Sequence, residues 1–215
     1  RMTTIKGLFT GGDGVGCSAH KFSSGSHAEG RIAGKAAIKF LVDNPGDVTL
    51  DTSKFEEIKA EILKPLKTYE EGKGYTVTDD ITPNYIRPKM FLFRLNKIMD
   101  EYAGGTSSWY TTNKAMLQRA TEELRMLYED SKFLGASDLH ELMRAWENYH
   151  RLWTSEAHVL HLAFREETRY PGYYYRADFK EVLDQENWHV FTISKWDPAT
   201  RKWSIRKEPV KNWLS

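Results

Sequence analysis

Between Gly11 and Lys35 the chain reads GGDGVGCSAHKFSSGSHAEGRIAGK. Small and polar residues fill its first half, and an amphipathic stretch closes it. Gly12 and Gly14 flank Asp13, a pattern that suits a tight turn or a close approach of backbone to a ligand. Ser23, Ser24, Gly25, Ser26 and His27 stand where a helix should begin. A helix start leaves amide N–H groups without intrahelical acceptors and carries the positive end of the dipole, so it favours electron-rich oxygen. His20 and Lys21 add an imidazole and an ammonium, which stabilise negative charge; the imidazole can also donate a proton. The chemistry on offer is the cradling of an anionic or polar cofactor edge. Gly14-Val-Gly16-Cys-Ser-Ala19 also satisfies GxGxxG/A, but no apolar helical period follows Ala19, so the dinucleotide reading is weak.

These groups need elements to hold them. Residues 5–10 read as a short buried strand ended by glycine, and residues 26–43 as a helix starting near Ser26 or His27. Its apolar stripe is Ile32, Ala33, Ala36, Ala37, Phe40 and Leu41, and Asn44-Pro45-Gly46 stops it. A buried strand so near the first residue, followed at once by its loop, reads as the C-terminal piece of a longer protein. Asp51-Thr-Ser53 suits the cap of a second helix ending before Pro65, with 66–83 a polar surface excursion. Helices then follow over about 84–102 and 112–132. The strongest starts after Ser137-Asp138, with Leu139, Leu142, Met143, Trp146, Tyr149, Trp153, Ala157 and Leu160 at threes and fours. Short links between them predict an antiparallel helical subdomain. Two strands near 188–196 and 201–207, joined by turn chemistry at Asp197-Pro198-Ala-Thr200, finish the chain.

The fold class expected is α+β and mostly helical: the C-terminal part of a cofactor-binding α/β domain, then a helical domain, then a terminal β-hairpin. The segments are 1–45, 46–180 and 181–215, the last packing on the helical domain or on a partner. With 215 residues, 40% hydrophobic and 28% charged, the composition is that of a globular protein. A formal net charge of +1 gives no electrostatic case for nucleic acid or an anionic membrane. No stretch has the apolar length of a membrane span, and no secretory signal is visible. Cys17 is the single cysteine, which excludes internal disulfides, excludes an iron–sulfur cluster held by this chain alone, and fits a cytoplasmic protein. Cys17 itself reads as a small packed hydrophobe.

The runs GLFTGGDGVG and HKFSSGSHAEGR resemble the second flavin-binding segment of the fumarate reductase/succinate dehydrogenase flavoproteins. They are more similar to the flavin subunits of dissimilatory adenylylsulfate reductases. So are Asp138-Leu-His-Glu-Leu, Arg144-Ala-Trp-Glu, the run from Leu162 to Phe179, Asn187-Trp188 and Ser194-Lys-Trp-Asp-Pro. The fumarate reductase pattern after the histidine is near His-Gly-Ala-Asn-Arg, whereas this chain has His20-Lys-Phe-Ser-Ser. The resemblance implies an oxidoreductase that interconverts adenosine 5′-phosphosulfate with sulfite and AMP at FAD. It implies an iron–sulfur beta subunit as partner, with the [4Fe–4S] clusters there and not in this chain. The alternatives kept open are a fumarate reductase or succinate dehydrogenase relative and a non-catalytic helical docking module.

Carried onto these positions, the resemblance makes His20 catalytic. Gly12, Asp13, Gly14, Lys21, Ser23, Ser24, Gly25, Ser26 and His27 become cofactor-binding, with Asp13 accepting from the ribitol chain. The first flavin segment and the capping domain that supplies a substrate arginine belong upstream, so the fragment alone should be inactive. No metal site is expected. His140-Glu-Leu-Met-Arg144 lacks the second histidine of HExxH, and His158 with His161 lacks a third ligand. Glu29 and Arg31 read as surface or structural pairs. Arg165, Arg169 and Arg176 read as stacking on the nearby tyrosines and pairing with Glu166, Glu167 or Asp178, with a place in a substrate channel as the rival role.

Overall fold

The structure, a computed structural model, describes residues 2–15, 22–46, 49, 51–75 and 84–211. His20 and Lys21, expected in the site, and Gly16, Cys17 and Trp213 lie outside the described residues. The chain divides into two compact units, Arg1–Lys54 and Phe55–Ser215.

The first unit is a turn system set on one helix, α1 (Ser23–Asp43). The expected strand at 5–10 is absent. Thr3 N–H reaches the Leu8 carbonyl at 2.8 Å and Leu8 N–H the Ile5 carbonyl at 3.1 Å, so the run doubles back on itself. Met2 and Phe9 form only an isolated bridge, and Ile5 and Leu8 are exposed. A lone extended run has no ladder to join, and local turn bonds satisfy its amides instead. α1 begins three residues before Ser26, with Phe22 at the cap position and no side-chain cap bond there, so serine capping at Ser26 or His27 is not observed. Ser26 N–H already bonds the Phe22 carbonyl at 2.9 Å. The helix ends at Asn44 as the sequence indicates. Of the expected stripe, Ala33, Ala36, Ala37 and Phe40 are partly covered, while Ile32 and Leu41 are exposed.

The second unit is helical, as expected. α2 (Phe55–Gly72) runs through Pro65 rather than stopping before it. The flanking turns are tied to the helical unit: the Ile62 carbonyl takes Trp146 Nε1–H at 2.9 Å, and the Pro65 carbonyl takes Ala136 N–H at 2.9 Å. Residues 66–75 are therefore helix and a 3-10 turn, not a loop; the rest of the expected excursion lies outside the described residues. α3 (Pro88–Tyr102), α4 (Lys114–Ser131) and α5 (Leu139–Phe164) pack on one another around Phe91, Leu95, Leu117, Leu124, Leu127, Leu152 and Val159. The buried stripe of α3 carries Phe91, Leu95 and Ile98, while Phe93 is exposed. On α5 the buried face is Leu142, Ala145, Asn148, Leu152, Val159 and Leu162, whereas Leu139, Met143 and Trp153 are exposed.

β1 (Thr111–Thr112) pairs in parallel with β2 (Tyr175–Arg176). After a short α6 (Gln185–Trp188), β3 (Val190–Asp197) and β4 (Lys202–Pro209) form the expected antiparallel hairpin. Asp197 builds its turn, accepting from Ala199 N–H at 3.0 Å and Thr200 Oγ1–H at 2.7 Å. The half-buried face of the hairpin meets α5 through His161 and Thr192, 2.7 Å apart, and through Trp203 Nε1–H on Glu156 at 3.2 Å.

α5 starts on a capping box. Asp138 accepts from Glu141 N–H, and Glu141 accepts from both Ser137 N–H and Ser137 Oγ–H, each at 2.9 Å. Arg87 joins Glu141 at 3.0 Å and ties this start to the start of α3. Burial pushes the Glu141 carboxyl up, but the hydrogen bonds from Ser137 and Arg87 outweigh it, and the group sits below its ordinary value. A depressed carboxyl stabilises above the unfolded value of about 4.3 and loses that contribution as pH falls through the lower folded value. Glu141→Gln should therefore cost about 1 kcal/mol near pH 7. In urea titrations the gap between variant and wild type should close as pH drops through that window.

Candidate functional site

The expected site residues converge in part. Gly12–Gly14 form a single 3-10 turn, and Gly12 N–H donates to Glu29 Oε2 at 2.7 Å. Glu29 is 4% exposed and sits on the second turn of α1, so this bond seats the glycine turn on the helix flank. The fit depends on bare backbone. A Cβ on Gly11 would stand 3.2 Å from the Glu29 carbonyl carbon and from the Gly30 nitrogen. Gly12 has φ +67°, a region open to glycine and costly to most residues, and a Cβ there would stand 3.4 Å from Ser26 Oγ. Gly12, which the sequence offers for a tight turn or approach to a ligand, turns at positive φ and brings its amide to α1.

Beside the turn lies an open hollow of about 500 Å³ lined by Ser23, Ser26, His27, Gly30 and Arg31. Three of the expected residues thus share one surface. Ser24 and Gly25, on the same first turn, do not line the hollow, and Asp13 is exposed on the neighbouring 3-10 turn. Ser23, Ser24 and Gly25 precede the first intrahelical amide bond of α1, at Ser26. A helix start of this kind offers N–H groups and positive potential to an anionic edge. Two contributors escaped the sequence reading. Glu29, expected as a surface or structural pair, is the buried acceptor of the turn; its position three residues after Ser26, on the same helical face, was the available signal. Arg31 adds a cation to the wall of the hollow.

The donor set suits a flavin edge in kind: small residues that leave backbone accessible, hydroxyls, a helix start and a cation. Among the described residues no cluster of three or more His, Cys, Asp or Glu is placed to hold a metal ion. His158 and His161 both lie on α5, and burial, the largest effect on each, holds their ring nitrogens below the ordinary value.

The late arginines form a structural network. Glu167, fully buried, accepts from Arg165 Nη1–H at 2.7 Å, Arg169 Nε–H at 2.6 Å and Asp184 N–H at 2.6 Å. Arg176 grips Asp178 with two bonds, at 3.0 and 2.9 Å, and donates to the Leu162 and Arg165 carbonyls. Asp178 also accepts from Lys114 N–H at the start of α4, at 2.9 Å. The expected pairing is present. The expected tyrosine stacking is not: Arg165 lies over Trp188, 5.2 Å from the ring centre, and Arg176 over Phe179 at 4.8 Å. The network binds the end of α5, β2 and the entry to the hairpin, and its guanidinium protons go to the protein itself.

Residues 94–214 match the family described as fumarate reductase flavoprotein C-term. The chain is 52% identical over 209 residues to the adenylylsulfate reductase alpha subunit of Megalodesulfovibrio gigas, covering 97% of this chain and 31% of that one. Among solved structures it is similar to adenylylsulfate reductase from Archaeoglobus fulgidus, with 50% identity and a TM-score of 0.94 over 100% of this chain and 33% of that one. An adenosine-5-phosphosulfate reductase in complex with sulfite as a covalent adduct gives the same identity, TM-score and coverage. The E. coli quinol fumarate reductase chain shares 19% identity and a TM-score of 0.70 over 98% of this chain and 35% of that one, a likeness of fold alone. The chain thus spans about a third of the length of these relatives.

Two outcomes test this geometry. Glu29→Ala should abolish slow hydrogen exchange at the Gly12 amide and lower the stability of the first unit by about 1–3 kcal/mol; fast Gly12 exchange already in the wild type contradicts the seat. Glu167→Ala should cost about 3–5 kcal/mol, since it leaves two arginines in a buried setting without their carboxylate. Urea unfolding of the second unit reads this directly.

Proposed function

We propose, from the premise that this chain belongs to the fumarate reductase flavoprotein C-terminal family, that it is the C-terminal third of the flavin subunit of an adenylylsulfate reductase. One observation carries the reading. Half of the residues match adenylylsulfate reductases along the whole chain at a TM-score of 0.94, against 19% and 0.70 for the fumarate reductase. On this reading the complete enzyme reduces adenosine 5′-phosphosulfate to sulfite and AMP, or runs the reverse. Bound FAD supplies the electron pair. The bond between the bridging phosphate oxygen and sulfur breaks. AMP keeps that oxygen with the bonding pair, and sulfur departs as sulfite with the two added electrons.

The residues of this chain bind and bias. The first-turn amides of Ser23, Ser24 and Gly25 and the helix dipole hold the electron-rich pyrimidine end of the flavin, where negative charge collects on reduction. Ser26 and His27 add hydrogen-bonding groups from the hollow, and Gly12, Asp13 and Gly14 meet the ribitol side. His20 stabilises the negative charge that develops on the sulfur group or donates its proton, and Lys21 adds positive charge toward the cofactor. The electrons arrive from an iron–sulfur beta subunit, whose clusters this single-cysteine chain does not hold. The protein is cytoplasmic on this reading, in keeping with its lone cysteine. No helix among the described residues is long and apolar enough to cross a membrane.

The complete protein should purify yellow, with about one FAD per flavin subunit, and its flavin absorbance should bleach or shift on adding sulfite. His20→Ala should lower turnover about 10²-fold or more while flavin content stays at the wild-type level. A colourless complete protein, or equal loss of turnover and flavin in the variant, contradicts the assignment of cofactor or of His20.

A further inference from the structure

We propose that the cavity enclosed by α4, α5 and the terminal hairpin is a binding site for a small aromatic anion. The cavity measures about 420 Å³, within the range of small-molecule sites. Leu124 and Val159 line it with Leu160 and Ala163, so most of its wall excludes water. Trp196 and Trp203, partners across the hairpin register, supply the opposite wall; their ring centres lie 5.2 Å apart. Flat indole faces beside aliphatic side chains suit a flat guest.

The polar groups set its charge. Arg125 and Arg201 both line the exposed mouth of the cavity, and among the described residues neither guanidinium has a carboxylate partner or a hydrogen bond. Glu129, one helical turn from Arg125, pairs instead with Lys132 at 3.7 Å. This contrasts with Arg165, Arg169 and Arg176, each spent on protein acceptors. Arg201 also holds φ +51°, a left-handed conformation at the hairpin turn that suits glycine better than arginine. Two carboxyls line the wall: Glu129, already facing Lys132, and Glu156, which is tied to Trp203 Nε1–H. Burial pushes the Glu156 carboxyl up, against the opposing pull of the Trp203 hydrogen bond. Two unpaired guanidiniums around an apolar, tryptophan-faced chamber select an anionic group on a ring system. The anion is a carboxylate or a nucleotide phosphate; both offer oxygens to the same guanidinium forks.

The probe is 2-naphthoate, titrated calorimetrically into the complete protein. Saturable one-site binding is expected, weakened about tenfold or more by Arg125→Gln and again by Arg201→Gly. The neutral methyl ester should bind about tenfold more weakly or worse. Arg201→Gly relieves the left-handed strain, so it should melt at or above the wild-type temperature while binding less; weak binding there is then not a folding defect. Displacement of 2-naphthoate by AMP assigns the anion to a nucleotide, and failure to displace leaves an aryl carboxylate as the guest. Absence of saturable binding, wild-type affinity in both arginine variants, or equal affinity for the ester overturns the proposal. None of these readouts depends on turnover, so they stand apart from a failure of the proposed reaction.

Discussion

A single hydrogen bond, Gly12 N–H to the buried carboxylate of Glu29, organises the first unit. It joins a turn with few side chains to the flank of α1, and it does so only because Gly11 and Gly12 let backbone pack on backbone. The turn has no strand beneath it among the described residues, so its position is inherited from the helix. The hydroxyls of Ser23 and Ser26, the His27 ring and the Arg31 guanidinium then bound one hollow beside it. The bond ties the turn to the helix start, and the Phe9–Phe40 edge contact at 5.9 Å adds a second tie along α1. The proposed flavin chemistry needs them as one surface.

The second unit rests on a different kind of constraint. Its helices are packed through Leu, Phe and Val side chains, but the chain after α5 has little apolar periodicity to place it. Charge-assisted bonds do that work. Glu167 gathers Arg165, Arg169 and the Asp184 amide, and Arg176 connects the end of α5 to Asp178 and so to the start of α4. Such a network is directional, which matters for fixing a hairpin against a helix where apolar contact alone would allow sliding. With the hairpin held in place, Trp196 and Trp203 close a chamber against α4 and α5.

The periodic stretches and their punctuation were legible in the residues. The Ser137-Asp138 capping box and the Asp197 turn each have a local mechanism, and each appears in the structure. What failed depended on distant partners. Pro65 reads locally as a stop, yet Trp146 and Ala136 use the carbonyls around it and the helix continues. Phe91 and Phe93 are equivalent by composition, and only the neighbouring helices select Phe91 for the core. Residues 5–10 are apolar enough for a strand, but among the described residues no strand is paired with them, only the isolated Met2–Phe9 bridge. In the site, glycine and serine content pointed to the right region. The buried role of Glu29 was hidden, because glutamate on a helix is ordinarily a solvated residue.

The central claim is that the glycine turn, held against α1, forms one side of a flavin pocket. The direct measurement is the FAD-to-protein ratio of the complete protein carrying Gly11→Val, read from visible absorbance, with helical content followed in parallel. A branched side chain at Gly11 must push the turn off the Glu29–Gly30 backbone. The account predicts a folded protein largely stripped of flavin. A folded variant that keeps its full complement of FAD would contradict it.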